Sequence, residues 1–245
     1  MNRSLSVIVP ALNEADNLEA TMKAARRALV ETVRDFEIIV VDDGSTDATG
    51  EIADRLATAH PEVRVMHNGR NRGFGASFAR GVEVARKDAV MFVPGDNGWP
   101  YASLRELFMA LGTADVVTAY TTNPEIRPLG RRVVSRLYTS ALNTLFGHRL
   151  RYYNGLAIYP LNMLRTRPVT TGGFAFMAEA LLNALAAGLT HVEVGVPISE
   201  RAGGSSKAIR LKNVVSVAGT IAHLFWTLRI RGRARGTALA AGRRA

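Results

Sequence analysis

Ser6-Val7-Ile8-Val9-Pro10-Ala11-Leu12-Asn13-Glu14 and Ile39-Val40-Val41-Asp42-Asp43-Gly44-Ser45-Thr46-Asp47 are the two stretches that decide the fold of this chain. Each begins with a continuous apolar run rich in β-branched residues, which is typical of a buried strand. Each run then changes abruptly to polar side chains. Two buried strands that both end in polar residues indicate a sheet with a ligand site along one edge.

Strand and helix patterns alternate through the chain. Strands are predicted at Ser6–Pro10, Phe36–Val41, Val63–Met66, Ala89–Val93, Ala114–Ala119, Gly155–Tyr159 and His191–Pro197. Helices are predicted after Asn13 as N-cap, from near Thr46, and over Gly73–Ala85, Tyr101–Leu111, Arg131–Phe146 and Phe174–Ala187. The alternation predicts an α/β fold with right-handed βαβ units and a mostly parallel sheet.

Polar residues follow three of the predicted strands: Asn13-Glu14 after the first, Asp42-Asp43 after the second and Asp96-Asn97 after the fourth. Ligands of parallel α/β sheets bind at the carboxyl ends of the strands. The three pairs are therefore expected to face one crevice.

The composition limits the classes of function. The chain has 245 residues, of which 47% are hydrophobic, and it has no cysteine, which excludes disulfides and thiolate metal sites. The net charge is +10, and no Asp or Glu follows Glu200. Nucleic acid, anionic lipid and a phosphorylated substrate are the possible partners of such charge. No nucleic-acid-binding module is recognisable, so nucleic acid is not expected.

The two opening stretches, in their order and spacing, resemble the start of family 2 glycosyltransferases with the GT-A fold. Asn71-Arg72-Gly73-Phe74-Gly75 and Asp96 continue the resemblance. Gly173-Phe174-Ala175-Phe176 with Glu179, and Arg201–Lys207, resemble the polyprenyl-phosphate sugar transferase branch, which includes dolichol-phosphate mannose synthase. The resemblance covers about residues 4 to 212 and implies an inverting transfer of sugar from a nucleoside-diphosphate sugar to a polyprenyl-phosphate-type lipid acceptor.

The resemblance also assigns the donor site. It implies that a set of residues at the strand ends binds the nucleotide: Pro10, Asn13, Glu14, Asp42, Asp43 and Gly73. Strand-end carboxylates suit this role because they accept strong hydrogen bonds from ring N–H groups and ribose hydroxyls. A plain turn and helix cap is the competing interpretation of residues 42–47.

Asp96 matches the second position of the family's Asp-X-Asp, whose first position is Pro94 here. Asp96 and Asn97 are the expected ligands of Mg²⁺ or Mn²⁺, with the substrate phosphates completing the shell. Arg201 and Lys207 are expected to close over the diphosphate and stabilise the departing nucleotide.

The resemblance places the acceptor phosphate near Arg132 and Arg136, while Tyr152-Tyr153-Asn154-Gly155 replaces the family's usual Thr-Ser-Gly-Phe-Arg. For a hydroxyl acceptor Glu179 is the natural general base, whereas a lipid phosphate needs none. A nucleotide-sugar-binding protein without turnover, suggested by Pro94, is the alternative of a different class.

Two parts are expected: a GT-A domain over residues 1–211, and an apolar helix with a basic tail over residues 212–245. The second part contains Trp226 and four alternating arginines after it, from Arg229 to Arg235. Its apolar run is shorter than the ~18 residues that span a bilayer, so it predicts a peripheral contact with an anionic membrane surface. The N-terminus lacks the features of a signal peptide, and the expected location is the cytoplasmic face of the membrane.

Overall fold

The computed structural model describes residues 4–170, residues 175–199 and Phe225. Within these residues the strands are β1 (Leu5–Ala11), β2 (Phe36–Asp42), β3 (Val63–His67), β4 (Ala89–Phe92), β5 (Val116–Thr121), β6 (Ala157–Pro160) and β7 (His191–Val196). The helices are α1 (Leu18–Thr32), α2 (Thr49–Ala59), α3 (Phe74–Val84), α4 (Tyr101–Met109), α5 (Leu129–Phe146), α6 (Leu161–Thr166) and α7 (Phe176–Ala186), with a 3-10 turn at Pro124–Ile126.

The described strands form one mixed sheet in the order β3-β2-β1-β4-β6-β5-β7. Neighbouring strands are parallel except at β6, which is antiparallel to both β4 and β5. The predicted mostly parallel α/β sheet is therefore confirmed. β1 and β2 are mostly apolar because every residue of β1, and all of β2 after Phe36, is buried. The buried polar side chains Ser6 and Glu37 are paired, since the Ser6 hydroxyl donates to the Glu37 Oε1 at 2.7 Å.

The direction of chain progression reverses after β3. β1, β2 and β3 step towards one edge, and the chain then crosses back to place β4 on the other side of β1. Because such crossovers are right-handed, α3 covers the opposite face of the sheet from α1 and α2. β1 and β4 thus flank a topological switch point, where α/β sheets form their binding crevice.

The helices bury the faces that the sequence periodicity predicts. Leu18, Met22, Ala25 and Leu29 of α1 are all at most 2% exposed, as their helical spacing requires. On the other face, the rings of Phe78 and Phe176 lie 5.4 Å apart and join α3 to α7. None of the described helices is long and apolar enough to span a bilayer.

Candidate functional site

The loops after β1 and β4 meet at the switch point. The Gly95 N–H donates to the Pro10 carbonyl oxygen at 3.0 Å, and a side chain at position 95 would come within 3.1 Å of the Ala11 Cβ. Glycine therefore lets the turn before Asp96 lie directly on the end of β1. The structure brings Pro10 and Asp96, two residues of the predicted site, to the same edge of the sheet.

The loops after β1 and β2 are joined by side chains. Asn13 donates its backbone N–H to the Ser45 hydroxyl oxygen at 2.9 Å, and its Oδ1 accepts the Thr46 N–H at 2.8 Å. The Glu14 N–H donates to the Thr49 hydroxyl oxygen at 2.8 Å. Residues predicted to share one crevice therefore do lie together, along the ends of two adjacent strands.

These long-range bonds explain an incorrect prediction. Asn13 is not the N-cap of α1: the helix begins at Leu18, with Asn17 in the capping position. Asn13 instead has a left-handed backbone, with φ 56°, and uses its side chain on the neighbouring loop. For the same reason α2 begins at Thr49 rather than near Thr46, since Thr46 contributes its N–H to this loop contact.

Asp42 lies at the end of β2 and is only 6% exposed. Its Oδ1 accepts the Ser45 N–H at 3.0 Å, and its Oδ2 is 3.0 Å from the His67 Nδ1. Burial raises the pKa of the Asp42 carboxyl, but the hydrogen bonds from Ser45 and His67 together outweigh burial and leave this pKa below its ordinary value. Asp42 is therefore an ionised, oriented carboxylate at the predicted donor site.

The neighbouring Asp43 carboxylate points towards the loop before α3 and is 3% exposed. One oxygen accepts the Asn68 amide at 2.7 Å and the Arg72 N–H at 2.9 Å, and the other accepts the Gly73 N–H at 2.8 Å. The Gly73 backbone has φ 93°, a conformation that glycine adopts without strain. Asp43 thus fixes the turn that opens α3.

Asp96 is 9% exposed, and its Oδ1 accepts the Gly98 N–H at 3.1 Å. The next residue, Asn97, has a left-handed backbone with φ 51°. One carboxylate and one amide are oxygen donors of the kind that Mg²⁺ and Mn²⁺ prefer. Among the described residues no three His, Asp or Glu side chains are grouped as a metal site. The donor set therefore fits a divalent ion that takes most of its ligands from a diphosphate and water.

Glu179 lies in the first turn of α7 and is 3% exposed. Its Oε1 accepts both the Thr170 N–H, at 2.9 Å, and the Thr170 hydroxyl, at 2.7 Å. The carboxylate in this otherwise apolar helix thus has the partner that its burial requires.

The arginines predicted for the acceptor lie on α5. Arg136 is exposed, whereas Arg132 is partly buried and its Nε makes no hydrogen bond to any of the described residues. Close by in the chain, the Arg127 guanidinium donates to the Tyr152 hydroxyl at 3.1 Å. Tyr152 belongs to the segment that leads into β6. Because β6 is antiparallel to β4 and β5, the start of β6 lies at the same edge of the sheet as the ends of β4 and β5.

Several predicted features lie outside the described residues. These are Arg201 and Lys207, the Gly173-Phe174 part of the motif before Glu179, and the basic tail after residue 225. The apolar helix predicted after Lys212 is described only at Phe225, whose ring lies 6.2 Å from that of Phe146 on α5.

Comparison with known proteins identifies the family. The sequence model of glycosyl transferase family 2 matches residues 6–177, which is most of the chain and includes β1 to β6. The chain belongs to this family. The predicted enzyme class, a glycosyltransferase, is confirmed by the same match.

Two relatives of this family 2 glycosyltransferase extend the comparison. Polyprenol monophosphomannose synthase of Mycolicibacterium smegmatis is 30% identical over 215 residues, which cover 82% of this chain and 79% of that protein. Glycosyltransferase AglD of Haloferax volcanii is 29% identical over 94% of this chain, but the chain spans only 38% of AglD. The predicted resemblance to the polyprenyl-phosphate branch is thereby confirmed.

A solved structure supports the fold of this family 2 glycosyltransferase. Glucosyl-3-phosphoglycerate synthase from Mycobacterium tuberculosis, in complex with Mn²⁺, UDP-glucose and phosphoglyceric acid, superposes with a TM-score of 0.67. The match covers 92% of this chain and 79% of that protein at 20% identity. The predicted GT-A fold is confirmed.

His67 was not predicted from the sequence, yet it contacts Asp42 at the predicted donor site of this glycosyltransferase. It is the last residue of β3 and pairs in register with Asp42. The signal was its place directly after the predicted strand Val63–Met66, which is parallel to the strand that ends in Asp42.

Proposed function

We propose that the chain transfers a sugar from a nucleoside-diphosphate sugar to a polyprenyl-phosphate acceptor, with inversion at the anomeric carbon. The observation that carries the proposal is the placement of two buried, oriented carboxylates at one edge of a family 2 fold, with Asp42 at the end of β2 and Asp96 after β4, on either side of β1. The relative named polyprenol monophosphomannose synthase, at 30% identity, supports the choice of acceptor.

The donor half of the proposed site lies at the ends of β1, β2 and β4. Asp42, ionised and held by Ser45, is suited to accept N–H or O–H donors of a nucleoside. Asp96, one strand beyond β1, stands on the other side of the crevice. Asp96 and Asn97 would hold a divalent ion, which when bound neutralises charge on the diphosphate leaving group. The glucosyl-3-phosphoglycerate synthase complex, which has the same fold, contains Mn²⁺ together with UDP-glucose, and this supports the proposal of a divalent ion.

The acceptor half lies at the ends of β5 and β6. Within the part of the chain that the structure describes, five buried side-chain atoms in this region make no hydrogen bond: Thr121 Oγ1, Asn154 Oδ1, and on α5 Arg132 Nε, the Tyr138 hydroxyl oxygen and Thr139 Oγ1. If the β5–β6 register, in which Thr118 pairs with Ala157, is extended beyond β6, Asn154 comes opposite Thr121. Buried polar atoms of this kind call for a ligand or water. An anionic phosphate beside Arg132 is the acceptor group that fits.

The transfer itself needs little acid–base chemistry. An acceptor phosphate oxygen attacks the anomeric carbon, the bond from that carbon to the diphosphate oxygen breaks, and the nucleoside diphosphate departs with the electron pair. Because a phosphate monoester is already anionic at neutral pH, no general base is required. Glu179 then has a positioning role, as its hydrogen bonds from Thr170 indicate.

The helix α5 has an exposed apolar surface. Four apolar side chains on it, which are between 46% and 70% exposed, are Leu129, Val133, Val134 and Leu137. Between Glu125 and Glu179 the sequence has no Asp or Glu and eight arginines. Exposed apolar residues flanked by arginine are typical of helices that lie in an anionic lipid surface. We therefore propose that α5, together with the C-terminal segment, binds the cytoplasmic face of the membrane that holds the acceptor.

Calorimetry with UDP, GDP and dTDP in the presence of Mn²⁺ tests the donor site. Asp42→Asn is expected to raise the Kd of whichever nucleotide binds most tightly by at least about tenfold, since a hydrogen bond to a charged group contributes about 1.5–3 kcal/mol. Asp35→Asn is the matched control, because Asp35 is exposed and lies before the opposite end of β2. Equal affinity of the Asp42→Asn and Asp35→Asn proteins would contradict the assignment of Asp42.

Co-sedimentation with vesicles tests the proposed membrane surface. Leu137→Glu is expected to lower partitioning onto vesicles containing phosphatidylglycerol by about tenfold, because an apolar anchor is replaced by a charge that anionic lipid repels. Val30→Glu is the control: Val30 is 59% exposed but lies on α1. If the Leu137→Glu and Val30→Glu proteins partition alike, α5 is not the lipid-binding face.

A further inference from the structure

The His67 ring lies between two carboxylates. Its Nδ1 is 3.0 Å from the Asp42 Oδ2, and its Nε2 is 3.1 Å from the Asp54 Oδ1. His67 ends β3, Asp42 ends β2, and Asp54 lies on α2, so the ring joins three elements beside the proposed donor site.

This geometry selects one protonation state. An ionised carboxylate can only accept hydrogen bonds, so both ring nitrogens must donate, and only the imidazolium carries a proton on each. The hydrogen bond with Asp42 raises the pKa of His67, burial opposes it, and Asp54 raises it further. The one other charged group that the described contacts place here is Arg80, whose guanidinium donates to the His67 carbonyl oxygen at 2.9 Å.

The orientation of the Asp42 carboxylate is restricted by its neighbours. Ser45 holds one of its oxygens and His67 the other. Gly50 of α2 closes over the pair, since a side chain there would come within 3.2 Å of the Asp42 Oδ2 and 3.4 Å of the His67 Cε1. The direction of the carboxylate is therefore set by Ser45 and by the state of the His67 ring.

We propose that the His67 imidazolium is a positioning group for Asp42, and that it makes nucleoside-diphosphate binding dependent on pH. The proposal rests on the proposed function, because it takes Asp42 to be a nucleotide contact. When the ring loses a proton, one nitrogen presents a lone pair to a carboxylate, and that hydrogen bond becomes a repulsion. The net charge of His67, Asp42 and Asp54 together also becomes more negative by one unit, which disfavours an anionic ligand nearby.

The sign of the effect follows from the raised pKa of His67. The proton is retained below the ordinary histidine pKa of about 6.5 and is lost as the pH rises through the higher value in the folded protein. The affinity for the nucleotide is therefore highest at mildly acidic pH and decreases as the pH rises. The same holds for the stability that the hydrogen bonds of His67 to Asp42 and Asp54 contribute.

Calorimetry of the full chain with the preferred nucleoside diphosphate, between about pH 6 and pH 9, tests the proposal. His67→Gln is expected to lower the affinity for the nucleotide at pH 6 by about threefold to tenfold. It should also make that affinity nearly the same at acidic and at basic pH. Asp54→Asn, at a 63% exposed side chain, leaves Asp42 in place and is expected to shift the fall in affinity to lower pH.

His60→Gln is the control, because His60 is a histidine at the C-cap of α2, away from the end of β3 where His67 meets Asp42. The ligand's own phosphate titration is common to all four proteins and cancels in the comparison. If nucleotide binds but the pH profile of His67→Gln equals those of wild type and His60→Gln, the positioning role is overturned and the proposed function stands. If no nucleoside diphosphate binds to the wild type at any pH, both are overturned.

Discussion

Replacing Asp96 by asparagine is expected to lower the rate of sugar transfer at saturating donor by about a hundredfold or more. The substitution keeps the oxygen that accepts the Gly98 N–H, so the turn after β4 keeps its shape. It removes the negative charge that favours a divalent ion next to the diphosphate. The loss should therefore appear in kcat and in Mn²⁺ affinity measured by titration, with little change in thermal stability.

Asp88→Asn is the matched control for this experiment. Asp88 is exposed, precedes the opposite end of β4 and accepts a hydrogen bond from Ser4. Pro94→Asp adds the carboxylate that the family's Asp-X-Asp has at that position, and it should raise Mn²⁺ affinity by about tenfold. Equal transfer rates in wild type and Asp96→Asn would show that Asp96 does not hold the ion.

The central strands could be predicted from the sequence to within one or two residues. A strand at Phe36–Val41 is predicted, and β2 spans Phe36–Asp42. The prediction is close because a strand that is buried on both faces consists almost entirely of apolar residues. The same holds for helices with one apolar face: Arg131–Phe146 was predicted and α5 spans Leu129–Phe146.

The loops could not be predicted in the same way. Asn13 satisfies the local rules for a helix cap, yet its bonds go to Ser45 and Thr46 on the next loop. Such bonds depend on which strands are adjacent, and local sequence does not carry that information. His67 was missed for the same reason, since its role comes from the register of β3 with β2.

The site prediction named residues that the structure has at the ends of neighbouring strands, but it did not separate side chains that are open to a ligand from those that hold the loops. Asp42 and Asp43 are adjacent in sequence, and both were predicted to serve the nucleotide. In the structure the Asp42 carboxylate is joined to Ser45 and His67, whereas Asp43 is directed at the turn before α3. Alternation of side chains at a strand end separates neighbouring residues in this way.

Asp43→Ala is expected to lower the free energy of unfolding by about 1.5–3 kcal/mol, the largest stability effect that we predict. The carboxylate accepts three hydrogen bonds, from the Asn68 amide and from the Arg72 and Gly73 N–H groups. Alanine leaves the Arg72 N–H without this acceptor, whereas the Asn68 amide and the Gly73 N–H each keep a second one. The expected loss is therefore that of hydrogen bonds to a charged group, which contribute about 1.5–3 kcal/mol.

Urea unfolding, followed by circular dichroism, measures the effect of Asp43→Ala as a fall in the transition midpoint. Asp16→Ala is the control, since Asp16 is an exposed residue of the β1–α1 loop and such substitutions usually change stability by less than about 0.5 kcal/mol. Nucleotide affinity, measured well below the unfolding transition, separates the two roles. A protein that unfolds at the wild-type midpoint but has lost nucleotide binding would show that Asp43 contacts the ligand. A lowered midpoint with binding retained in the folded fraction would place Asp43 in the support of the α3 turn, where its three hydrogen bonds are made.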